Sequence, residues 1–495
     1  VEVILRSLTI LTALGFSLSL VWSARSAAAD EYKPTRESIS THAVPEWFED
    51  AKFGMFIDWG LYSVAGWAPV PEKGATYPDW YVFRMYTDDR FKAYHAKTWG
   101  PNFTRDDFIP LFTAKAYDPD KLAQIAKDSG MRYVVPFCKH HDGFCLWPSQ
   151  TTGRNAGEMG PKRDLIRPLV DACHRDGLKF GFYQSLEEWE YPLLGDDGKL
   201  QLRLWDTKSP GRVVPYDAEA LKGKIAGKRP VRDYTRDYLV PQTEDFIDRY
   251  DPDILWFDGD WTEEAETFNS YEMVAHFYNH ASGRKEVVVN DRLGKTRSKV
   301  GDVFTSEYGT VHGKPFDLAS GLRHKWEENR GISQSFGYNH QDNEKSIISG
   351  TQFVQMLANV VAYNGNLLLI VNLDGDGALP ELEANRLAEI GKWLKINGEA
   401  IYSTRPWLKA ADGDRIRFTR SKDGSTLYAI CFDWPKNLVL HGVTAQAGSQ
   451  VQMLGTDAIL KLRQEGQDLA IDVPEELEKS KPCDHAYVLK IRLGK

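Results

Sequence analysis

Six short apolar runs in this sequence end in side chains able to do chemistry. Phe53-Gly-Met-Phe-Ile runs into Asp58, Tyr133-Val-Val-Pro-Phe leads to Lys139-His140-His141-Asp142, and Lys179-Phe-Gly-Phe ends at Tyr183. Ile254-Leu-Trp256-Phe delivers Asp258, Glu286-Val-Val-Val precedes Asn290-Asp291-Arg292, and Val303-Phe-Thr precedes Ser306-Glu307. A single aspartate after an apolar run is usually a turn or cap residue. Six such endings imply one polar rim. Two of its members, Asp258 and Glu307, have the residue types that glycoside hydrolysis needs: one carboxylate attacks or stabilises an oxocarbenium-like carbon, and a second carboxyl protonates the leaving oxygen. Arg292 would favour the ionised form of the attacking group.

The adjacent His140 and His141 suggest a metal, but neighbours on an extended strand point to opposite faces and no third ligand follows at useful spacing. No metal or cofactor is therefore expected. The imidazoles read instead as hydrogen-bonding groups for hydroxyls, with Trp80, Tyr183 and Trp256 as apolar walls.

The elements that must position this rim alternate. Helical spacing of Leu122, Ile125 and Ala126 closes at Gly130 before the run at Tyr133. Helices over 165–174, 234–249, 270–280, 351–362 and 381–396 separate further strands at 179–183, 254–257, 286–290, 303–306, 332–336 and 367–371. About seven or eight strand–helix units over roughly 350 residues predict a closed parallel (β/α)8-like barrel, whose chemistry sits at the C-terminal strand ends. No glycine-rich phosphate fingerprint follows a strand. The Gly-, Pro- and charge-rich stretch 194–231 reads as a long loop near the barrel mouth. After residue 398 the pattern becomes short alternating strands around Lys422-Asp-Gly-Ser, predicting a small C-terminal β-sandwich over 399–495 behind a barrel domain over 30–398.

The 495 residues carry 61 basic and 70 acidic side chains, a net charge of -9, which offers no footprint for nucleic acid. The content of 15 Trp and 22 Tyr suits a protein that holds ligands with one apolar face and many hydroxyls, although most such rings belong to cores. Arg6, the apolar stretch from Leu8 to Trp22 and Ala27-Ala28-Ala29 read as a signal peptide over 1–29, too short for a membrane span of roughly 20 residues. Export to a periplasmic, extracellular or lysosome-like compartment, with no stable membrane span after cleavage, is the expectation. Five sparse cysteines without C-x-x-C spacing make neither a zinc site nor a disulfide framework.

The motifs Lys52-Phe-Gly-Met-Phe-Ile-Asp-Trp-Gly-Leu-Tyr-Ser, Lys139-His-His-Asp-Gly-Phe, Leu255-Trp-Phe-Asp-Gly, Ser335-Phe-Gly-Tyr-Asn and Asn397-Gly-Glu-Ala-Ile-Tyr together resemble the α-L-fucosidases of glycoside hydrolase family 29. The resemblance implies exo-acting, retaining release of terminal α-L-fucose from a fucosylated glycan or oligosaccharide without a cofactor. It also implies Asp258 as nucleophile, His140, His141, Tyr183, Trp256 and Arg292 as sugar contacts, and Phe336 against the sugar's methyl group. The acid/base position varies in the family; Glu307 is the choice here and Glu327 the reserve. Two departures stand out. Asp58 occupies the place of a family histidine, and an ionised aspartate accepts but cannot donate. Asp79-Trp80-Tyr81 replaces a Glu-Trp-Tyr triplet, one methylene shorter. Hydrolysis of a fucose-like sugar such as an α-L-galactoside, and catalytically silent fucose binding, are the competing expectations.

Overall fold

The computed structural model describes residues 31–205, 211–297, 300–311, 314–446 and 448–493; the expected signal peptide lies outside them. Eight parallel strands make a barrel: β1 (Phe53–Asp58), β2 (Tyr133–Lys139), β3 (Lys179–Ser185), β4 (Ile254–Asp258), β5 (Val288–Val289), β6 (Phe304–Glu307), β7 (Trp326–Gly331) and β8 (Gly365–Asn372). Each pairs with its neighbour in chain order, β8 returns to β1 with Leu367 opposite Phe53, and the bridge Asn290–Val303 closes β5 onto β6.

Strands β1 to β4 and β8 are buried on both faces, which is why those runs are largely apolar. Phe56, Val135, Phe137, Tyr183, Trp256, Leu368 and Ile370 fill the interior. The alternate positions, including Met55, Ile57, Val134, Phe182, Leu255 and Leu369, pack against the helices. A period of two therefore puts Asp58 on the inward face with Phe56, and Asp258 with Trp256.

Four expectations need correction. The stretch 332–336 is not a barrel strand; Trp326–Gly331 is, and its sequence Trp-Glu-Glu-Asn-Arg-Gly escaped a hydrophobic reading because polar Glu327 and Asn329 lie between β6 and β8. The stretch 194–231 is not a loop: Glu190–Leu194, Leu200–Leu204 and Arg212–Pro215 form a three-stranded antiparallel sheet followed by a short helix. The strand expected over 286–290 is only Val288–Val289. The helix expected over 234–249 begins with a π-turn, Thr235–Leu239, before the α-helix Val240–Tyr250. Pro241 supplies no amide proton for a regular bond to the preceding turn, and the wider turn absorbs that break.

Beyond the helix Glu381–Asn397 come β9 (Thr404–Asp412), β10 (Ile416–Ser421), β11 (Thr426–Cys431), β12 (Leu438–Leu440), β13 (Gln450–Met453), β14 (Ile459–Glu465), β15 (Asp468–Asp472) and β16 (Tyr487–Arg492). They form one antiparallel sheet in the order β9-β10-β11-β16-β13-β14-β15-β12. The sheet curls about a core containing Phe418, Leu427, Leu440, Met453 and Leu489 until its outermost strands meet, where His441 N donates to Asp412 Oδ2 at 2.7 Å. Its other face, with Tyr428, Ile430 and Val488, joins the barrel's helical layer, and Trp393 Nε1 donates to Ala486 O at 2.9 Å. All five cysteines are free thiols.

Candidate active site

At the C-terminal strand ends lies a cavity of about 440 Å³. Of the residues singled out from sequence, Asp79, Trp80, His141, Asp258, Arg292, Glu307 and Phe336 line it. Asp58, His140, Tyr183 and Trp256 sit one layer deeper and are almost wholly buried.

Arg292 organises the centre. Its Nη1 donates to Asp258 Oδ1 at 2.7 Å and its Nη2 to Glu307 Oε2 at 3.2 Å, so one planar guanidinium ties together both carboxylates of the rim. Thr305 Oγ1 accepts from Nε at 3.1 Å, and the guanidinium lies over the Trp256 ring, 4.7 Å from its centroid. Burial opposes the charge, but Asp258, Glu307 and Asp260 outweigh it and hold the pKa above its ordinary value. Tyr183 OH donates to the other Asp258 oxygen at 2.7 Å, and Tyr77 OH donates to Glu307 Oε1 at 3.0 Å. Both carboxylates are thus fixed by donors on two sides.

The two histidines do not point apart. Strand β2 ends at Lys139, so strand alternation no longer applies to the pair, and their ring centroids lie 4.1 Å from each other. His141 Nδ1 meets Ser185 Oγ at 2.5 Å, and that hydroxyl donates to Glu187 O. This arrangement puts the proton on Nδ1 and leaves Nε2, 3.8 Å from Asp258 Oδ2, as an acceptor. Burial pushes the His141 pKa down to about 4, and burial followed by His141 lowers that of His140 well below its usual value. Both rings are neutral near pH 7.

Beneath them, His140 Nε2 is 3.5 Å from Asp79 Oδ2, and Tyr62 OH donates to Asp58 Oδ1 at 2.6 Å. Asp58 Oδ2, Asp79 Oδ1 and His140 Nδ1 are buried with no hydrogen-bond partner in the protein. A buried polar atom without a partner is costly unless a polar ligand meets it. Burial, reinforced by Asp58, raises the Asp79 pKa well above the carboxylate range, and burial lifts that of Asp58 to about 7. A protonated Asp58 has a donor as well as acceptors. The expected loss of donor capacity at this family-histidine position therefore holds only for the ionised form.

The raised pKa sets a pH dependence of stability. Because the folded state holds the Asp58 proton more tightly than the unfolded chain does, the contribution is full below about pH 4 and fades as pH rises through about 7. Asp58→Asn should come close to the parent's Tm at pH 4 and exceed it at pH 8, by at most about 4 kcal/mol of stability. An equal difference at both pH values would rule out the titration.

Glu327 is placed differently from Glu307. It lies inside the barrel behind the cavity, accepting from Tyr133 OH at 2.6 Å and Trp256 Nε1 at 2.9 Å, and burial raises its pKa to about 7. It orients the Trp256 ring on which Arg292 rests.

Tyr77, Arg84, Trp205, Trp261, Arg297 and Thr310 also line the cavity and were not anticipated. Trp261 follows Asp258 closely enough to be read with it. Trp205 carries no local signal, because it follows the short strand Leu200–Leu204 in a stretch whose composition predicts a loop. It is brought to the mouth by the hydrogen bond its backbone N–H donates to Trp189 O at 2.8 Å and by the buried ion pair Arg203–Glu187 at 2.6 Å, and its ring centroid lies 5.6 Å from that of Trp80.

The sequence model of the family described as Alpha-L-fucosidase matches residues 19–399, and that of the Alpha-L-fucosidase C-terminal domain matches 412–492. The chain is 33% identical over 419 residues to the alpha-L-fucosidase of Dictyostelium discoideum, covering 83% of each. It is 30% identical over 468 residues to the human tissue alpha-L-fucosidase, covering 93% of this chain and 91% of that one. The crystal structure of Thermotoga maritima alpha-fucosidase in complex with fucose superposes with a TM-score of 0.74 at 33% identity, covering 93% of this chain and 100% of that chain. No helix among the described residues is long and apolar enough to cross a membrane. With its barrel, its C-terminal sheet and the length of these matches, the chain belongs to the α-L-fucosidase family, glycoside hydrolase family 29.

Proposed function

We propose that this chain is an exo-acting, retaining α-L-fucosidase that removes terminal α-L-fucose from fucosylated glycans or oligosaccharides, with Asp258 as nucleophile and Glu307 as acid/base. The observation that carries the assignment is the single guanidinium of Arg292 bonded to both carboxylates over one cavity. In the first step an Asp258 oxygen attacks the anomeric carbon while Glu307 gives its proton to the departing glycosidic oxygen. In the second, Glu307 takes a proton from water, whose oxygen displaces Asp258 and releases fucose. Such a pathway requires carboxyl groups about 5–5.5 Å apart. Asp79 and His141, which line the cavity, are the groups that would meet the sugar's hydroxyls, with Asp58 and His140 behind them. Phe336, at the cavity wall and stacked with Tyr77 at 5.7 Å between ring centroids, would meet the C5 methyl. Trp80, Trp205 and Trp261 stand where the group bearing the fucose would emerge. The apolar segment Leu8–Trp22 supports export of the mature enzyme.

Two assays test this reading. Proton NMR of the first turnovers on an aryl α-L-fucoside should detect α-fucose before mutarotation, whereas β-fucose first would exclude the double displacement. The matching α-L-galactoside, which adds one hydroxyl beside Phe336, should be cleaved with kcat/KM about 10–200-fold lower, as expected for a pocket discriminating by roughly 1–3 kcal/mol.

A further inference from the structure

A second constellation of ligating side chains lies in the outer helical layer. The helices Val240–Tyr250 and Ser270–Ala281, which follow β3 and β4, pack side by side. His276 and His280 stand one turn apart on the second and face Asp248 on the first. His276 Nε2 is 2.8 Å and His280 Nδ1 is 3.3 Å from the same oxygen, Asp248 Oδ1. One ligand atom from each of the three residues falls within 4.8 Å of the others, and no other such group occurs among the described residues. Tetrahedral zinc, with bonds of about 2.0–2.2 Å to nitrogen and oxygen, places its ligand atoms about 3.3–3.5 Å apart. The His280–Asp248 spacing already fits, and that of His276 needs to open by about half an ångström.

The remaining nitrogens supply an independent observation. His280 Nε2 meets Asp251 Oδ1 at 3.0 Å, and His276 Nδ1 faces Glu244 Oε1 at 3.8 Å. A carboxylate hydrogen-bonded to the far nitrogen of a ligating imidazole, as Asp251 is to that of His280, fixes its tautomer and aims its lone pair, the outer-shell arrangement of zinc sites. Asp251 is itself held by Arg284 at 3.0 Å and Lys285 at 3.2 Å. The three ligating side chains are 55%, 31% and 24% exposed, so an ion could enter and water could complete its coordination.

We propose that Asp248, His276 and His280 form a zinc-type divalent metal site that clips these two helices together on the outside of the barrel. None of the three lines the catalytic cavity, so the site stands apart from the hydrolytic reading. A metal bound to the folded chain stabilises it by mass action.

The test is calorimetric titration of the chelator-treated chain with zinc chloride at pH 7.5, with the melting temperature followed in parallel. One equivalent should bind and the Tm should rise. The variant His276→Ala/His280→Ala should bind at least tenfold more weakly and lose the rise in Tm, and Asp251→Asn, which leaves all three ligands in place, should weaken binding about tenfold. Fucoside turnover by the double variant should equal the parent's, certifying its fold. Absence of saturable zinc binding by the parent would overturn the site, leaving a cluster of histidine–carboxylate ion pairs. Undiminished binding by the double variant would overturn it equally, placing the ion elsewhere.

Discussion

Asp258→Gly is expected to lower kcat on an aryl α-L-fucoside by about 10³–10⁵-fold, a loss of roughly 4–7 kcal/mol of transition-state stabilisation. The side chain is nine-tenths buried and receives Tyr183 on one oxygen and Arg292 on the other, which directs the carboxylate at the cavity and leaves it little freedom to turn away. Glycine removes the attacking oxygen and leaves space behind. Azide occupying that space should restore turnover and produce β-fucosyl azide, because only the first displacement then takes place. The substitution also strips one partner from buried Arg292, which retains Glu307 and Thr305, so a thermal melt must accompany the assay. Turnover near the parental rate with no azide product would remove Asp258 from the role.

Glu307→Ala carries the second-largest expected effect, about 10²–10⁴-fold in kcat/KM for a substrate whose leaving group needs a proton. For a dinitrophenyl fucoside, which departs without one, the first step should be nearly unchanged and the second step should become limiting. Azide should then accelerate turnover and give α-fucosyl azide, the opposite anomer from the Asp258 variant, so product configuration separates the two roles. Glu327→Ala provides the contrast. Its carboxylate holds Tyr133 and Trp256 inside the barrel, and its removal leaves two buried donors unpaired. That variant should lose thermal stability and turnover alike, with no azide rescue and no change in leaving-group dependence. Rescue there and not at Glu307 would transfer the acid/base role.

Much of the scaffold was legible because a parallel barrel strand is buried on both faces and so appears as an uninterrupted apolar run. The rule failed where the barrel interior is polar. Trp326–Gly331 carries Glu327 and Asn329 inward, and no window of hydrophobicity marks it. It failed again at Glu190–Pro215, where strands of five, five and four residues with exposed Leu200 and Val213 look like loop until they pair. Trp205 entered the cavity unannounced for that reason. Strand alternation does not reach His140 and His141, which lie just past the end of β2 with their ring centroids 4.1 Å apart.

The residue types at the ends of the apolar strands, and with them the family and the candidate carboxylates, are readable from the chain because an apolar run and its polar end are local features. How those ends meet is set by barrel closure. Arg292 reaches both Asp258 and Glu307 because closure of β5 onto β6 sets three separate strand ends side by side. Whether Asp58 holds a proton near pH 7 is likewise a property of its surroundings: burial beneath the cavity, which no residue type encodes, makes the charged form costly. The helix-to-helix alignment of Asp248 with His276 and His280 has the same origin, in the packing of two elements whose own sequences give no sign of the other.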